Sequence, residues 1–517
     1  MKYETSRPLE EYKRHKENCV KLKSKIEPLY NEILAYTDPM NSVTTSKLEG
    51  TLEGTYVNSS ISDAQTSFKN FISYALFGIK KKWAKSDVIK PLLAKKYQGQ
   101  ELIDMIQSYK EKLDVQTDEI FDYILASNYE KEIGRALTDW GELGTGCWKY
   151  EEQNSEKVPF RHQYVPLNEL LFNEDLQHRP NIVFRYNFKY SLWDIRSLYK
   201  KADLSCYDGI NENEEVTVIE CVMPVAETDT FEWILFDERM DNVLYRKIYN
   251  YNPYTIFRFT VMPNNVWGRG LGVTCLDYYE RLCYCENLRA RQSIRIVEPP
   301  LLLVGDKRLI DGFDLDPNGL NWGGDGITGQ ANAVPMNTTG TLLPLDQDIQ
   351  RYTQVIQAIH FNNPMGSVEN RTTRGNAEMG YRMQLFNQKF SDATSNLYDE
   401  VLIPTFAKPK QILQDKNIVK KIDEDKYFQA KFVNLLTETV DMEEIQKLST
   451  YIQTVQGFYP EVRTATLNKD NTLNFIADTF TVPVYLRATK EQRQESEEMM
   501  MKQALQMQAV AEIGGSE

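Results

Sequence analysis

The chain lacks the sequence marks of several enzyme classes. Its 517 residues contain no Gly-Lys dipeptide, which excludes a P-loop, because the phosphate-binding lysine of that motif follows a glycine. Neither a His-Glu-x-x-His zinc helix nor a Gly-x-Ser-x-Gly nucleophile elbow occurs. The four histidines are too scattered to predict a metal cluster. The sequence therefore predicts a non-enzymatic protein with no cofactor.

Cysteine and long apolar runs are also scarce. There are seven cysteines, an odd number at irregular spacing, so a disulfide framework is not predicted and a reducing compartment fits. No run of about 18 apolar residues occurs, so no transmembrane helix is expected.

The balance of charge is acidic. With 74 Asp and Glu against 60 Lys and Arg, the formal net charge is −14. A protein that coats nucleic acid is usually basic, because phosphate neutralisation supplies most of the non-specific affinity. An acidic surface instead suits a protein past which nucleic acid moves without sticking. At 41% hydrophobic residues the chain is globular, and its length allows two or three domains or one elongated body.

The most informative stretch runs from residue 267 to residue 361. A Gly-rich turn (267–272) leads into a predicted helix at 274–297, which Pro299-Pro300 terminates. A polar, Gly-rich excursion follows at 301–345, and a second helix is predicted at 346–361. Two helices with an insert at one end favour a mechanical, ring-building part over an enzyme pocket.

The segments before this stretch mix helices and strands. Residues 8–36 have a charged helical pattern, and an amphipathic helix at 61–76 ends at Gly78. Lys80, Lys81 and Lys82 follow it, either as a solvated helix end or as a nucleic-acid contact. A helix at 128–143 precedes a Gly-Thr-Gly turn and a strand at 147–151. Alternating residues at 216–262 predict a small antiparallel sheet.

After the second helix, residues 362–376 read as a polar loop and 377–399 as a long helix, with Pro404 ending the region. An α-rich segment starts near 436. Further helices are predicted at 472–480 and 490–511.

Three local patterns admit a binding interpretation beside a structural one. The turn from Gly268 to Gly272 superficially resembles a dinucleotide loop, but its Gly-x-Gly-x-Gly spacing and the absence of a βαβ unit favour a tight turn with close backbone approach. Cys283 and Cys285 would point about 200° apart on a helix, so they are read as structural rather than as metal ligands. The aspartates of the excursion lack the order of an EF-hand loop, which favours a solvated or partner-facing loop over a cation site.

Read in order, these segments resemble the portal, or head-to-tail connector, of T7-like short-tailed bacteriophages. The most specific match is Trp267-Gly268-Arg269-Gly270, the long helix, and Glu298-Pro299-Pro300 with the apolar run after it. The other matching segments are residues 56–83, 127–146, 371–404, 471–483 and 487–508. The resemblance covers nearly the whole chain and is least specific over 150–262.

The resemblance implies an α+β, mainly α fold divided into wing, stem, clip, tunnel loop and crown. It implies the following parts: wing, 1–273; first stem helix, 274–297; clip, 298–345; second stem helix, 346–361; tunnel loop, 362–376; wing helix and connector, 377–435; crown, 436–517. It further implies a dodecameric ring at one capsid vertex of the virion, assembled in the host cytoplasm, that conducts double-stranded DNA during genome packaging and ejection. The implied partners are the terminase large subunit, the tail adaptor, the major capsid protein and the scaffold, with no membrane.

Candidate site residues follow from that layout. The DNA-channel candidates in the tunnel loop are Asn362, Asn363, Arg371 and Arg374. The stem candidates are Arg289, Arg291 and Arg295. The clip candidates that would face the motor or adaptor are Asp306, Lys307, Arg308, Asp311, Asp314 and Asp316. For the arginines, brief phosphate contact competes with ordinary surface salt bridging.

Two other functions stay open at this stage. The first is another ring-forming head–tail or tail adaptor of the virion, which would usually be shorter and lack a two-helix stem with a crown. The second is a nucleotide-binding enzyme that uses the turn from Gly268 to Gly272.

Overall fold

The computed structural model divides the chain into two compact units. The first comprises residues 1–73, 128–151 and 161–404, and the second residues 74–127, 152–160 and 405–517. The residues it describes are 7–38, 58–78, 82–207, 209–225, 228, 230–237, 242–263, 265–304, 319–323, 333–335, 342–361, 388–422, 428–433, 445, 447–455, 472–473, 476 and 499.

Helices and strands alternate irregularly along the described residues. The α-helices are α1 (Leu9–Lys23), α2 (Glu27–Thr37), α3 (Ser59–Phe77), α4 (Lys90–Leu93), α5 (Gly99–Ala126), α6 (Tyr129–Glu142), α7 (Leu192–Leu198), α8 (Leu271–Val297), α9 (Leu343–Ile359), α10 (Ser391–Leu397) and α11 (Ile403–Asp415). A 3-10 turn covers Ser205–Tyr207 and a π-helix covers Tyr398–Leu402. The strands are β1 (Ala84–Val88), β2 (Thr145–Glu152), β3 (Phe160–Tyr164), β4 (Leu170–Glu174), β5 (Pro180–Ser191), β6 (Glu215–Pro224), β7 (Phe231–Asp237), β8 (Asn242–Tyr249), β9 (Tyr254–Arg258), β10 (Thr260–Val261), β11 (Gly268–Arg269), β12 (Leu301–Val304), β13 (Leu320–Gly323), β14 (Ala333–Pro335) and β15 (Phe428–Phe432).

Two antiparallel sheets form the core of the first unit. Strands β4 to β8 make a five-stranded meander in chain order, and β3, β2 and β9 make a second sheet. Apolar side chains from both sheets share one buried cluster, which includes Cys147, Val222, Trp233 and Ile256. Burial of this apolar surface is the main stabilising contribution of the unit.

A buried ion pair joins the two sheets. The Lys149 ammonium on β2 donates to both carboxylate oxygens of Glu220 on β6, at 2.9 and 2.7 Å. The Tyr254 hydroxyl on β9 also donates to Glu220. Because Glu220 is fully buried, these bonds replace the water that its charge would otherwise need.

The prediction of one small sheet over 216–262 is wrong in its extent. Strands β6, β7 and β8 confirm the strand assignment, but their sheet also includes β4 and β5, which were not predicted. Strand β9 pairs instead with β2, in the other sheet. Alternation along one strand shows which residues face inward and carries no information about the partner strand.

The predicted helix boundaries mostly agree with the structure. Helix α3 ends before Gly78, whose φ of +60° suits glycine. Helix α6 and strand β2 are present as predicted, but β2 begins at Thr145, so only Gly144 of the predicted Gly-Thr-Gly turn lies outside the strand. The charged pattern over 8–36 is broken between Lys23 and Glu27, where Pro28 opens α2. Helix α5 and strands β1 and β3 were not predicted.

The prediction that Pro404 ends its region is wrong. The chain passes from the π-helix into α11, and Pro404 is the second residue of that helix. The missing N–H of Pro404 follows directly on the π-helix, where the regular hydrogen bonding of an α-helix is already interrupted. The part of the predicted helix 377–399 before residue 388 lies outside the described residues.

The second unit is built around Trp83. Its ring makes edge contacts with Phe77 at 5.1 Å and Phe121 at 5.4 Å between centroids, and it stacks on Phe432 at 6.2 Å. Strand β1 pairs with β15, more than 300 residues later in the chain. Lys82 forms an exposed ion pair with Asp118 at 2.6 Å, while Lys80 and Lys81 lie outside the described residues.

Candidate functional site

Two glycine turns meet backbone to backbone where the long helix α8 begins. A β-carbon built on Gly144, whose φ is +96°, would lie 2.3 Å from the backbone nitrogen of Gly270. One built on Gly270 would lie 2.4 Å from the carbonyl oxygen of Glu142. Both approaches are too close for any side chain. The predicted close backbone approach is therefore confirmed, but Gly268 and Arg269 form strand β11 rather than a tight turn, and Gly270 is extended.

Hydrogen bonds hold this junction in place. The backbone N–H of Gly268 donates to the Thr145 hydroxyl at 3.0 Å, and the Tyr30 hydroxyl donates to the Gly268 carbonyl at 2.9 Å. The buried Trp267 ring packs against Phe172 at 4.6 Å. The start of α8 is thus anchored in the sheet core.

Helices α8 and α9 form an antiparallel pair. Cys275 near the start of α8 lies beside His360 at the end of α9, and Arg289 further along α8 reaches Asp346 near the start of α9. With 27 residues, α8 is about 40 Å long. The apolar contacts between them include Leu282 and Ile356. Residues of α3 join these contacts near the base of the pair, by which we mean the end where α8 begins and α9 ends.

A buried polar network closes the base of the helix pair. The Tyr279 hydroxyl donates to Glu142 Oε1 at 2.7 Å, and His360 Nε2 lies 3.1 Å from Glu142 Oε2 and 3.2 Å from the Tyr279 oxygen. His360 Nδ1 lies 3.0 Å from the carbonyl oxygen of Ile356. The Glu142, Tyr279 and His360 side chains are at most 2% exposed. We call these three residues the base network.

The geometry of the base network assigns its charges. A carbonyl oxygen only accepts, so His360 Nδ1 carries a proton toward Ile356. Nε2 faces the Glu142 carboxylate and carries the second proton. Burial alone would lower the pKa of His360, but hydrogen bonds to Cys275 and Glu142 raise it to about 10. Burial and the adjacent Glu142 raise the pKa of Tyr279, so its hydroxyl stays protonated.

At its other end, the helix pair is apolar and exposed. Ile294, Ile296 and Val297 in the last turn of α8 are 48%, 46% and 76% exposed. Ile294 and Ile296 lie about 160° apart around the helix, so no single neighbouring helix could cover both. The antiparallel pairing brings Leu343, 64% exposed, to the same end. Four large apolar side chains at this end of the pair are therefore at least 46% exposed.

One protein family matches almost the whole chain. Residues 10–486 match the family described as bacteriophage head to tail connecting protein. The chain belongs to this family. No curated protein matches the chain significantly. As a bacteriophage head-to-tail connecting protein, it is a structural component of the virion that associates with the head and the tail.

The described residues of the connector include neither a candidate metal site nor a membrane-spanning helix. Among those residues, no group of three or more His, Cys, Asp or Glu side chains could hold a metal ion. No described helix is both long enough and apolar enough to span a membrane. Cys275, Cys283 and Cys285 are all buried in the helix pair.

The three arginines predicted for the stem, Arg289, Arg291 and Arg295, do not form one stripe on α8. Arg289 pairs with Asp346 at 2.5 Å across the two helices, and both side chains are more than a third exposed. Arg291 and Arg295 are one helical turn apart, on a side of α8 well away from Arg289. Arg291 is exposed and Arg295 half-buried. Surface salt bridging, the alternative interpretation of these arginines, therefore describes Arg289.

Most of the other candidate residues of the connector lie outside the described residues. These are Asn362, Asn363, Arg371 and Arg374 of the predicted tunnel loop, and Asp306, Lys307, Arg308, Asp311, Asp314 and Asp316 of the predicted clip. The described residues within the predicted clip form strands, which the sequence pattern did not predict. Strand β12 pairs in parallel with β13 and antiparallel with β14.

Sequence reasoning also missed a third buried ion pair in the connector. The Arg258 guanidinium on β9 donates to Glu400 at 2.6 Å and to Glu174 at 2.8 Å. It also donates to the carbonyl of His178 at 2.6 Å, and its own backbone N–H donates to Glu400 at 2.7 Å. Glu400 lies in the π-helix, a rare conformation that changes which side chains face inward. Arg258 and Glu400 can be identified as partners only from the folded structure, because they lie far apart in the sequence.

Proposed function

We propose that the connector assembles into a closed ring, expected to contain twelve subunits, at one vertex of the capsid. The ring would conduct double-stranded DNA during packaging and ejection, as in portals of T7-like short-tailed phages. It would first dock the terminase large subunit and later the tail adaptor, with the major capsid protein and the scaffold around it. Assembly would take place in the host cytoplasm.

The apolar end of the helix pair carries this proposal. A ring subunit touches two neighbours through two different surfaces, so its contacts lie on opposite sides of each element. Ile294 and Ile296 point in nearly opposite directions and are both half exposed. In a closed ring one would face the preceding subunit and the other the following subunit.

A difference between the two ends of the helix pair supports the same arrangement. Its base is fixed inside the subunit by the glycine junction and the base network, whereas its far end offers apolar surface. A stem of about 40 Å suits the wall of a channel. Residues 301–345 would then be the clip and 362–376 the tunnel loop.

Negative-stain or cryo-EM images of the purified full-length protein test the proposal. We expect a ring with twelvefold symmetry, a central channel, a protruding stem and a wider body. A native mass spectrum should give the same subunit number. A monomer at micromolar concentration would refute the ring, and a ring without a stem and crown would instead support a tail adaptor.

A further inference from the structure

The base network lies at the meeting point of four helices. Glu142 belongs to α6, Tyr279 to α8, and His360 caps α9. The ring of Phe68 on α3 meets His360 edge-on, with centroids 6.3 Å apart. His360 is fully buried at the C-terminal end of α9. The network therefore fixes this end of the helix.

Net stabilisation alone does not explain why an ion pair is buried at this position. Burying two charges costs about as much as their attraction returns, and apolar side chains of the same shape often stabilise a core better. The best-attested advantage of a buried polar pair is that it specifies register, because any shift leaves two buried charges without partners.

The apolar contacts of this helix pair do not by themselves fix its register. Apart from the exposed Arg289–Asp346 pair, its other contacts are apolar or aromatic, such as Tyr278 with Tyr352 at 6.3 Å and the packing of Leu282 and Ile356. Contacts of this kind can be remade after a shift of one helical turn, about 5.4 Å. The Glu142–His360 pair cannot be remade in that way.

The backbone leaves space for this pair. A β-carbon on Gly272 would lie 2.7 Å from Glu142 Oε1, so only glycine at the start of α8 lets the carboxylate reach this position. The turn therefore shapes the base network as well as the helix start.

We propose that Glu142, Tyr279 and His360 form a charged latch that sets the register of α9 against α6 and α8. Neutralising either charge releases the end of α9 while the rest of the helix pair stays folded. The latch does not depend on the proposed ring, because all its members belong to one subunit.

Other charged and titratable groups face the latch. Cys275 on α8 has its sulfur 3.9 Å from His360 Nδ1. Lys389 donates to the carbonyl of Ala358 at 2.7 Å and covers the ring of Phe361 at 5.7 Å. Because the pKa of His360 is raised, the stabilisation is complete below about pH 6.5 and is lost as the pH rises toward about 10.

Hydrogen exchange of the full-length protein, read by mass spectrometry and corrected for intrinsic rates, tests the latch. In Glu142→Gln and in His360→Asn, residues 355–361 should exchange roughly tenfold faster or more, with residues 343–350 unchanged. The milder Tyr279→Phe should give a smaller change in the same place. Raising the pH from 7 to 10 should speed exchange at 355–361 in the wild type and not in Glu142→Gln.

His178→Asn is the matched control. His178 also pairs with a glutamate, Glu174, at 2.9 Å, but its side chain is 78% exposed. Exchange at 355–361 should not change in this variant. Unchanged exchange in both latch variants would overturn the proposal. A uniform rise across α6, α8 and α9 would also overturn it, because it would show a contribution to general core stability only.

Discussion

Gly268 and Gly144 touch through their backbones. A β-carbon on Gly268 would lie 1.9 Å from the carbonyl oxygen of Gly144, well inside any permitted contact. Gly144 and Gly268 are 124 residues apart in the sequence and form one joint in the structure. The start of α8 can take this position only because neither glycine has a side chain.

Replacing Gly268 by alanine should destabilise the first unit. We expect a loss of at least about 2 kcal/mol, because a backbone atom has to move to admit the methyl group. Gly134→Ala is the matched control, since a β-carbon there meets nothing within 4 Å and helix α6 gains an alanine. Chemical denaturation followed by tryptophan fluorescence measures both variants. An equal loss of stability in the two variants would contradict the close contact between Gly268 and Gly144.

Glu400→Gln should weaken the attachment of the π-helix to strand β9. The change leaves the buried Arg258 without its main charge partner, which costs about 3 to 5 kcal/mol in buried pairs. Glu212→Gln breaks the ion pair with Arg196, whose side chains are about half exposed, and should cost at most about 1 kcal/mol. Denaturation curves compare the two, and similar losses would show that the Arg258 pair is not special.

His162 should make the protein sensitive to mild acid. Burial lowers its pKa to about 3, whereas an unfolded histidine titrates near about 6.5. At this residue the unfolded state therefore binds more protons below pH 6.5, and the contribution of His162 to stability falls as the pH drops. Between pH 6.5 and pH 4 this amounts to about 3 kcal/mol. His162→Phe should flatten this part of the stability profile, and the exposed His178→Asn should leave it unchanged. A profile of unaltered slope in His162→Phe would exclude this histidine as the cause.

Ile294→Asp together with Ile296→Asp should prevent assembly and leave the subunit folded. Both side chains are half exposed, so the folded monomer tolerates the charges, whereas an apolar subunit interface does not. Val115→Asp, at an exposed position on α5, is the control and should assemble normally. Analytical ultracentrifugation gives the oligomeric state. Intact rings in the double variant would show that this end of the helix pair is not the interface.

Arg371→Ala combined with Arg374→Ala should leave assembly intact and change DNA packaging or retention. The expectation follows from the proposed tunnel loop, where two cations per subunit would touch passing phosphates. The packaged genome length and the DNA retained in purified virions are the measurements. If neither differs from the wild type, these arginines do not touch DNA.

The sequence by itself determined the strongly local features of this protein. Helices α3, α6, α8 and α9 were predictable because periodic apolar residues and Gly or Pro stops act within a few turns of chain. The close approach of the Gly268 turn was predictable for a related reason, since glycines so closely spaced indicate a backbone with no room for side chains. The order of these segments was enough to suggest the connector family.

Only the tertiary structure decided which distant residues meet. Glu142 and His360 are 218 residues apart, and Arg258 and Glu400 are 142 apart. Each is an ordinary polar residue in its own segment. Strand β9 joins β2 rather than its neighbours in the chain, because edge pairing and shared burial, not alternation, select the partner. The charged Glu142–His360 pair and the close contact of the two glycine segments exist only because folding brings together residues that are remote in sequence. In the pair, each charge then replaces the water that burial removes from the other.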